Sequence, residues 1–181
     1  MTLSQDHRVE MFISAEEIQR RIAEISLQIQ IDYKDKNPLI AAVLKGSFIF
    51  CADLIRHLSP LYKVDFIAVS SYSGENSTGR VTVNQDLKTD IAGHDIIVVE
   101  DIVDTGITMD YLKKEFAKRN PKSISVCALL DKKSRRKIPI DVEYVCFEIP
   151  DRFVVGCGLD YNGLYRGLPY IGLVKDIAKK E

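Results

Sequence analysis

The chain carries almost no net charge: 25 lysines and arginines against 26 aspartates and glutamates leave −1. No field of one sign therefore draws the whole molecule to nucleic acid or to an anionic membrane, and any phosphate it binds must be gripped locally. Long apolar runs are missing as well. None approaches the roughly 20 residues of a membrane span, and residues 1–10 are mostly polar, without the apolar stretch of a secretory signal. A cytoplasmic protein with no membrane and no nucleic-acid partner is expected.

Cysteine and histidine are scarce. Cys51, Cys127, Cys146 and Cys157 form no Cys-x-x-Cys pair, and Cys127 and Cys146 lie in runs that read as buried strands, so reduced core thiols are expected. His7, His57 and His94 stand far apart and have no zinc-type spacing. Gly74 and Gly79 have the separation of two P-loop glycines, but Arg80 and Val81 follow where Lys and Ser or Thr are needed. Gly156-Cys157-Gly158 lacks the third glycine of a dinucleotide fingerprint, because position 161 is Tyr. Internal repeats, low-complexity tracts and a Gly- or Ser-rich linker are also absent. With 181 residues and 46% hydrophobic content, residues 1–181 are expected to form a single domain that buries about 70% of its unfolded surface.

What is present alternates between two periods. Ser14 and Glu17 have the spacing of a capping box, and Ile18, Ile22, Ile25 and Ile29 make one helical stripe. Residues 39–44 form a short continuous apolar run, followed at helical spacing by Phe48, Cys51, Leu54, Ile55 and Leu58. Residues 64–70 read as a strand, and Val81 and Val83 beyond the Gly74 and Gly79 loop suggest a hairpin or flap. Residues 95–101 and 123–130 read as buried strands, with a helix over 108–119 between them turning Met109, Leu112 and Phe116 inward. After Pro139 come shorter strands, 142–149, 153–157 and 170–174, expected to cap the sheet. Strands alternating with helices predict an α/β fold around a mostly parallel sheet.

The most informative stretch is 96–108, where an apolar strand runs into Glu100, Asp101, Asp104, Thr105, Gly106, Ile107 and Thr108 before a helix. Ligands of open parallel sheets bind at the carboxyl ends of strands, and a small-residue turn opening a helix offers free N–H groups to a phosphate. Taken alone, Asp104 or Thr105 reads as a simple helix cap. Glu100 and Asp101 argue for more: with no cation nearby in sequence, they call for solvent, a metal or a hydroxyl-rich ligand.

Val98 to Thr108, Val-Val-Glu-Asp-Ile-Val-Asp-Thr-Gly-Ile-Thr, resembles the phosphoribosyl pyrophosphate signature of the type I phosphoribosyltransferases, in particular their hypoxanthine-guanine branch. Further segments share the likeness in the family's order. Leu44-Lys45-Gly46 resembles its pyrophosphate loop, Ser71-Tyr72 its lid, Lys132 its base-contacting lysine, and residues 147–156 its purine pocket, with Leu159-Asp160-Tyr161-Asn162 and Arg166 beyond. The likeness extends over about residues 39–174. Ile107 stands where some relatives carry lysine, which removes a charge but keeps the backbone donors.

The resemblance implies a Rossmann-like fold with a central, mostly parallel sheet flanked by helices and a small hood from the terminal segments. It also implies purine salvage: transfer of ribose 5-phosphate from phosphoribosyl pyrophosphate to hypoxanthine, forming IMP, or to guanine, forming GMP, with Mg2+. On this basis Glu100 and Asp101 would hold the ribose hydroxyls and magnesium, Asp160 would lie at a second magnesium, and Asp104 would be the general base. Thr105, Gly106, Ile107 and Thr108 would hold the 5′-phosphate, and Lys45, Gly46 and Arg166 the pyrophosphate. Lys132 would read the 6-oxo group, Phe153 would stack on the purine, the main chain of Val154 would read its edge, and Ser71 and Tyr72 would close over the site. A homodimer or homotetramer is implied too. By themselves, the basic run 132–137 reads as a solvated face, Arg166 as a surface ion pair, Phe153 and its valines as core, and Ser71-Tyr72 as an exposed loop. Two rivals are a regulator that senses phosphoribosyl pyrophosphate on the same fold and a xanthine- or adenine-preferring transferase.

Overall fold

The computed structural model describes residues 9–71 and 81–175. Its main sheet contains β2 (Leu39–Leu44), β3 (Lys63–Ser71), β4 (Val81–Gln85), β5 (Asp95–Val103), β6 (Ser123–Asp131) and β7 (Tyr144–Glu148), in the order β4-β3-β2-β5-β6-β7. Pairings are parallel except that of β4, which folds back antiparallel on β3 with Val69 opposite Val83. The hairpin read from Val81 and Val83 is therefore present.

The central strands are apolar because both of their faces are covered. Along β5, Ile97 and Val99 pack into the core beneath helices α1 (Ala15–Asp32) and α2 (Phe48–His57), whereas Ile96 and Val98 join the core beneath α3 (Ile107–Ala117). Each such side chain, fully buried, contributes about 1.5–3 kcal/mol. The stripe Ile18, Ile22, Ile25 and Ile29 is the buried face of α1. Its start is the capping box: Ser14 Oγ accepts from Glu17 N–H at 3.2 Å, and Ser14 N–H donates to the Glu17 carboxylate at 2.9 Å. All four cysteines are free and buried.

A second, smaller sheet has the order β1-β9-β8, made of β1 (Val9–Ile13), β9 (Ile171–Val174) and β8 (Val154–Val155), all antiparallel. It is the hood from the two terminal segments. The sequence reading had no strand at 9–13; only Ile13 of the five residues is buried, and the strand exists through its pairing with β9 near the other end of the chain. The short strands after Pro139 divide accordingly, β7 extending the main sheet while β8 and β9 build the hood.

Strand order reverses between β2 and β5: the chain runs outward from β2 to β3, then returns to the other side of β2 as β5 and continues to β6 and β7. Such a switch point leaves a crevice at the carboxyl ends of the two strands.

Candidate active site

A cavity of about 510 Å³ occupies that crevice. Val43, Leu44 and Gly46 line it from the end of β2, and Glu100 to Met109 from the end of β5 and the start of α3, with Val69, Arg135 and Lys137 completing the wall. Gly46 is required by contact: a Cβ there would fall on the Asp101 carboxylate. Gly158, at φ 99°, lies against the carbonyl of Gly46, so the segment after β8 seals the same loop. The Leu44–Lys45 peptide in this loop is cis. Lys45 itself is exposed and is not part of the cavity wall.

Glu100 is only 8% exposed. Burial, and then the charge of Asp101, push its carboxyl well above the usual range, and its hydrogen bond to the Asp101 side chain raises it further. Burial also raises Asp101, opposed by that hydrogen bond, by the Ile102 N–H at 2.8 Å and by the charge of Arg166. No cation neighbours these acids in sequence; Arg166 supplies positive field from the far end of the chain. Among the described residues no three Asp, Glu, His or Cys side chains converge. Asp160 is occupied elsewhere, 2.6 Å from Arg166 Nη2 and accepting from Gly163 N–H at 2.7 Å, while Arg166 Nη1 donates to Gly158 O at 2.6 Å.

The turn after β5 is not a capped helix start. Gly106 is the N-cap residue, at φ 83°, and no side chain caps α3; Thr105 Oγ1 approaches Ile107 N–H at only 3.5 Å. Asp104 Oδ1 is buried without a hydrogen bond among the described residues, although Arg135 Nε lies 3.2 Å away. That contact is charge proximity without an aligned N–H, so the oxygen remains a free acceptor.

The basic run is a solvated face only in part: Lys133, Arg135 and Lys137 are exposed, while Lys132 is buried and Arg136 half-buried. After the short 3-10 turn Lys133–Arg135, it folds back over the β5 turn. Arg136 Nη1 donates to Asp104 O at 2.6 Å and Arg136 Nη2 pairs with the buried carboxylate of Asp131, while Lys137 and Ile138 N–H donate to Thr105 O at 2.9 and 3.1 Å. Arg135 and Lys137 line the cavity, and the sequence reading missed both. Their signal was the position of the run directly after a strand that pairs with β5.

Lys132 is 6% exposed, with its N–H donating to Val103 O at 2.9 Å. Burial lowers its ammonium below the ordinary value, against the pull of Asp104 and Asp151, the latter 3.9 Å from Nζ. Phe153 is 47% exposed and meets Tyr161 edge to face at 5.5 Å, whereas Val154 is buried in β8. Gly46, Glu100, Asp101 and residues 104–108 thus share one cavity, with Lys132 close enough to feel Asp104. Ser71 ends β3, and Tyr72 lies outside the described residues. Such a site offers N–H groups to an anion, carboxylates to hydroxyls or a hard cation, and an ammonium to an acceptor.

The family description "Phosphoribosyl transferase domain" matches residues 10–162. The chain is 47% identical over 171 residues to the hypoxanthine-guanine phosphoribosyltransferase of Bacillus subtilis (strain 168), covering 93% of this chain and 95% of that protein. Identity to the hypoxanthine phosphoribosyltransferase of Escherichia coli (strain K12) is also 47%, over 93% of this chain and 96% of the relative. A crystal structure of a Bacillus anthracis hypoxanthine-guanine phosphoribosyltransferase superposes with a TM-score of 0.88 at 45% identity, covering 92% of this chain and 98% of the other.

Proposed function

Given that the chain belongs to the phosphoribosyl transferase family, we propose that it transfers ribose 5-phosphate from phosphoribosyl pyrophosphate to hypoxanthine, and to guanine, releasing pyrophosphate and forming IMP or GMP in purine salvage. The observation that carries this reading is one cavity that joins a helix start without a side-chain cap to the buried Glu100 and its neighbour Asp101, whose carboxyls burial pushes up. Relatives of high coverage named hypoxanthine and hypoxanthine-guanine phosphoribosyltransferase support the choice of base.

The residues act as follows. Thr105, Gly106, Ile107 and Thr108 take the 5′-phosphate at the start of α3, through main-chain donors and hydroxyls. Ile107 adds no charge, so the grip is mostly backbone. Glu100 and Asp101 accept from the ribose hydroxyls. Their hard oxygens, pushed toward protonation by burial, suit Mg2+ bound jointly with the substrate. When bound, Mg2+ neutralises the departing pyrophosphate as a Lewis acid. Gly46 presents backbone to that pyrophosphate, with Arg166 and Lys45 supplying charge; Asp160, now paired with Arg166, would reach a second magnesium by releasing that partner.

As the bond from C1′ to pyrophosphate oxygen breaks and the bond to the purine nitrogen forms, the purine loses a proton. Asp104, whose buried oxygen has no hydrogen bond among the described residues, accepts it. Lys132 donates to the 6-oxo group, where the amino group of adenine would meet a donor instead of offering an acceptor. Phe153, half exposed, is available to stack on the base, and the Val154 main chain lies at its edge. Ser71 and Tyr72 close over the site and keep water from the oxocarbenium-like centre.

The described residues contain no helix long and apolar enough to cross a membrane, and the enzyme is proposed to work in the cytoplasm. It is further proposed to assemble as a homodimer or homotetramer; Leu27 and Ile31, one turn apart on α1, and Val64 and Phe66 on β3 are large apolar side chains left exposed. Incubation with phosphoribosyl pyrophosphate, Mg2+ and each purine base, with the nucleotide identified by mass, tests the reading. IMP from hypoxanthine is the expected product. No nucleotide from any 6-oxopurine would overturn it, and product from xanthine in preference to hypoxanthine would reassign the base.

A further inference from the structure

The basic segment behind the β5 turn holds two successive peptide groups by their carbonyls. Asp104 O takes the Arg136 guanidinium at 2.6 Å, and Thr105 O takes the N–H groups of Lys137 and Ile138 at 2.9 and 3.1 Å. Both peptides are trans, since the described residues contain one cis bond, at Leu44–Lys45. In a planar trans peptide the N–H points opposite to the C=O. Tying back the carbonyls of residues 104 and 105 therefore turns the N–H groups of Thr105 and Gly106 away from the basic segment, to the open side of the turn. Neither N–H has an acceptor among the described residues. Gly106 also lies so close to the segment that a Cβ would run into Ile138 O and come within 3.0 Å of the Arg136 side chain, so the turn is seated on it.

Arg136 is itself fixed. Its side chain is 14% exposed, and its second nitrogen pairs with Asp131, a carboxylate 2% exposed at the end of β6. A guanidinium fork spans a carboxylate and a carbonyl at once, where an ammonium is a single point charge. Its charge on the Asp104 carbonyl also polarises the peptide toward a more acidic N–H.

We propose that Arg136 is a positioning residue of the anion-binding turn: anchored by Asp131, it aims the Thr105 and Gly106 N–H groups at the 5′-phosphate of the nucleotide. This inference rests on the proposed reaction for the identity of the anion. It concerns affinity for the phosphate end of the ligand alone, because Arg136 touches neither the Asp104 carboxylate nor the sugar acids.

The test is calorimetric titration of the whole protein with IMP and with inosine, which differ only by the 5′-phosphate. The wild type binds IMP more tightly. In Arg136→Lys, which keeps a charge for Asp131 but loses the fork, the advantage of IMP over inosine shrinks about tenfold while inosine affinity is unchanged. Asp131→Asn, which removes the anchor and preserves shape, moves the same ratio in the same direction by less, and decides the matter should Arg136→Lys fail to fold. A merely structural role would lower the melting temperature and weaken both ligands alike, and an unchanged ratio in a folded variant overturns the proposal. A wild type that binds IMP no better than inosine also overturns it, whereas the reaction itself stands or falls on nucleotide formation.

Discussion

Asp131 ends β6 almost fully buried, with the Arg136 guanidinium on it, whereas one strand over, in β5, Glu100 is nearly as inaccessible, and neither it nor the half-buried Asp101 has an ion pair among the described residues, only the charge of Arg166 acting on Asp101. A further carboxylate, Asp65 in β3, is 9% exposed; burial alone would raise its pKa, but main-chain N–H groups of Thr89, Phe66 and Lys88 outweigh that and hold it below the ordinary 3.8. The three sites share burial and differ in compensation. Where partners are built in, the acid holds the fold together. Where they are lacking, burial raises the acid's affinity for a proton, and a ligand can bring the missing charge.

The largest effect that would break this contrast is at Asp104, whose buried oxygen has no hydrogen bond among the described residues. Asp104→Asn keeps shape and removes the base, so turnover falls by about 10²–10⁴-fold while phosphoribosyl pyrophosphate binds with near wild-type affinity. Steady-state rates alongside direct binding measure this, and full activity would remove Asp104 from the mechanism.

At a compensated site the outcome is the reverse. Asp65→Ala strands three donors and lowers stability in urea unfolding by about 2–4 kcal/mol, with little change in KM. The stability that Asp65 contributes is present above its ordinary pKa and is lost as pH falls through 3.8 and below. A neutral result would mean that those N–H groups find other acceptors.

Lys132 follows Asp131 directly, yet its ammonium feels the charges of Asp104 and Asp151. Lys132→Ala reduces the preference for hypoxanthine over adenine, as a ratio of kcat/KM, by about tenfold or more. Unchanged discrimination would return Lys132 to a structural part.

The smallest effect concerns Glu100 without ligand. Folding raises its carboxyl above the ordinary 4.5, so the folded chain holds the proton that the unfolded chain releases. Stability is therefore full below that value and declines as pH rises toward the raised one. Glu100→Gln abolishes the decline: ligand-free, the variant melts a few degrees above wild type at about pH 8 and no higher at about pH 4. Parallel melting curves at both pH values would show that the acid is compensated after all.

Much of this arrangement is legible in the residues alone. The central strands β2, β5 and β6 are plain because a strand covered on both faces is apolar throughout, and α1 because its capping box and isoleucine stripe are local. The β5 turn stands out because acids at the end of a buried strand are costly unless a ligand or solvent meets them, and the small residues beside them leave room for one. The strand at Val9–Ile13 was missed, since its partner β9 lies near the opposite terminus and its own residues are mostly exposed. Lys45, implied as a charge in the site, is exposed, while neighbouring Gly46 does the lining.

Residue order along the chain thus determined which segments are strands, which are helices, and where acids and small residues meet at a strand's end. These follow from periodicity and local hydrogen bonding within a few residues. Only the tertiary structure decided which charges are compensated. Arg136 could serve Asp131 and the Asp104 carbonyl, and Arg166 could approach Asp101, only after parallel pairing set β6 beside β5 and the hood segment against the Gly46 loop. Electrostatic partnership depends on distance in space, and separation along the chain carries no record of it.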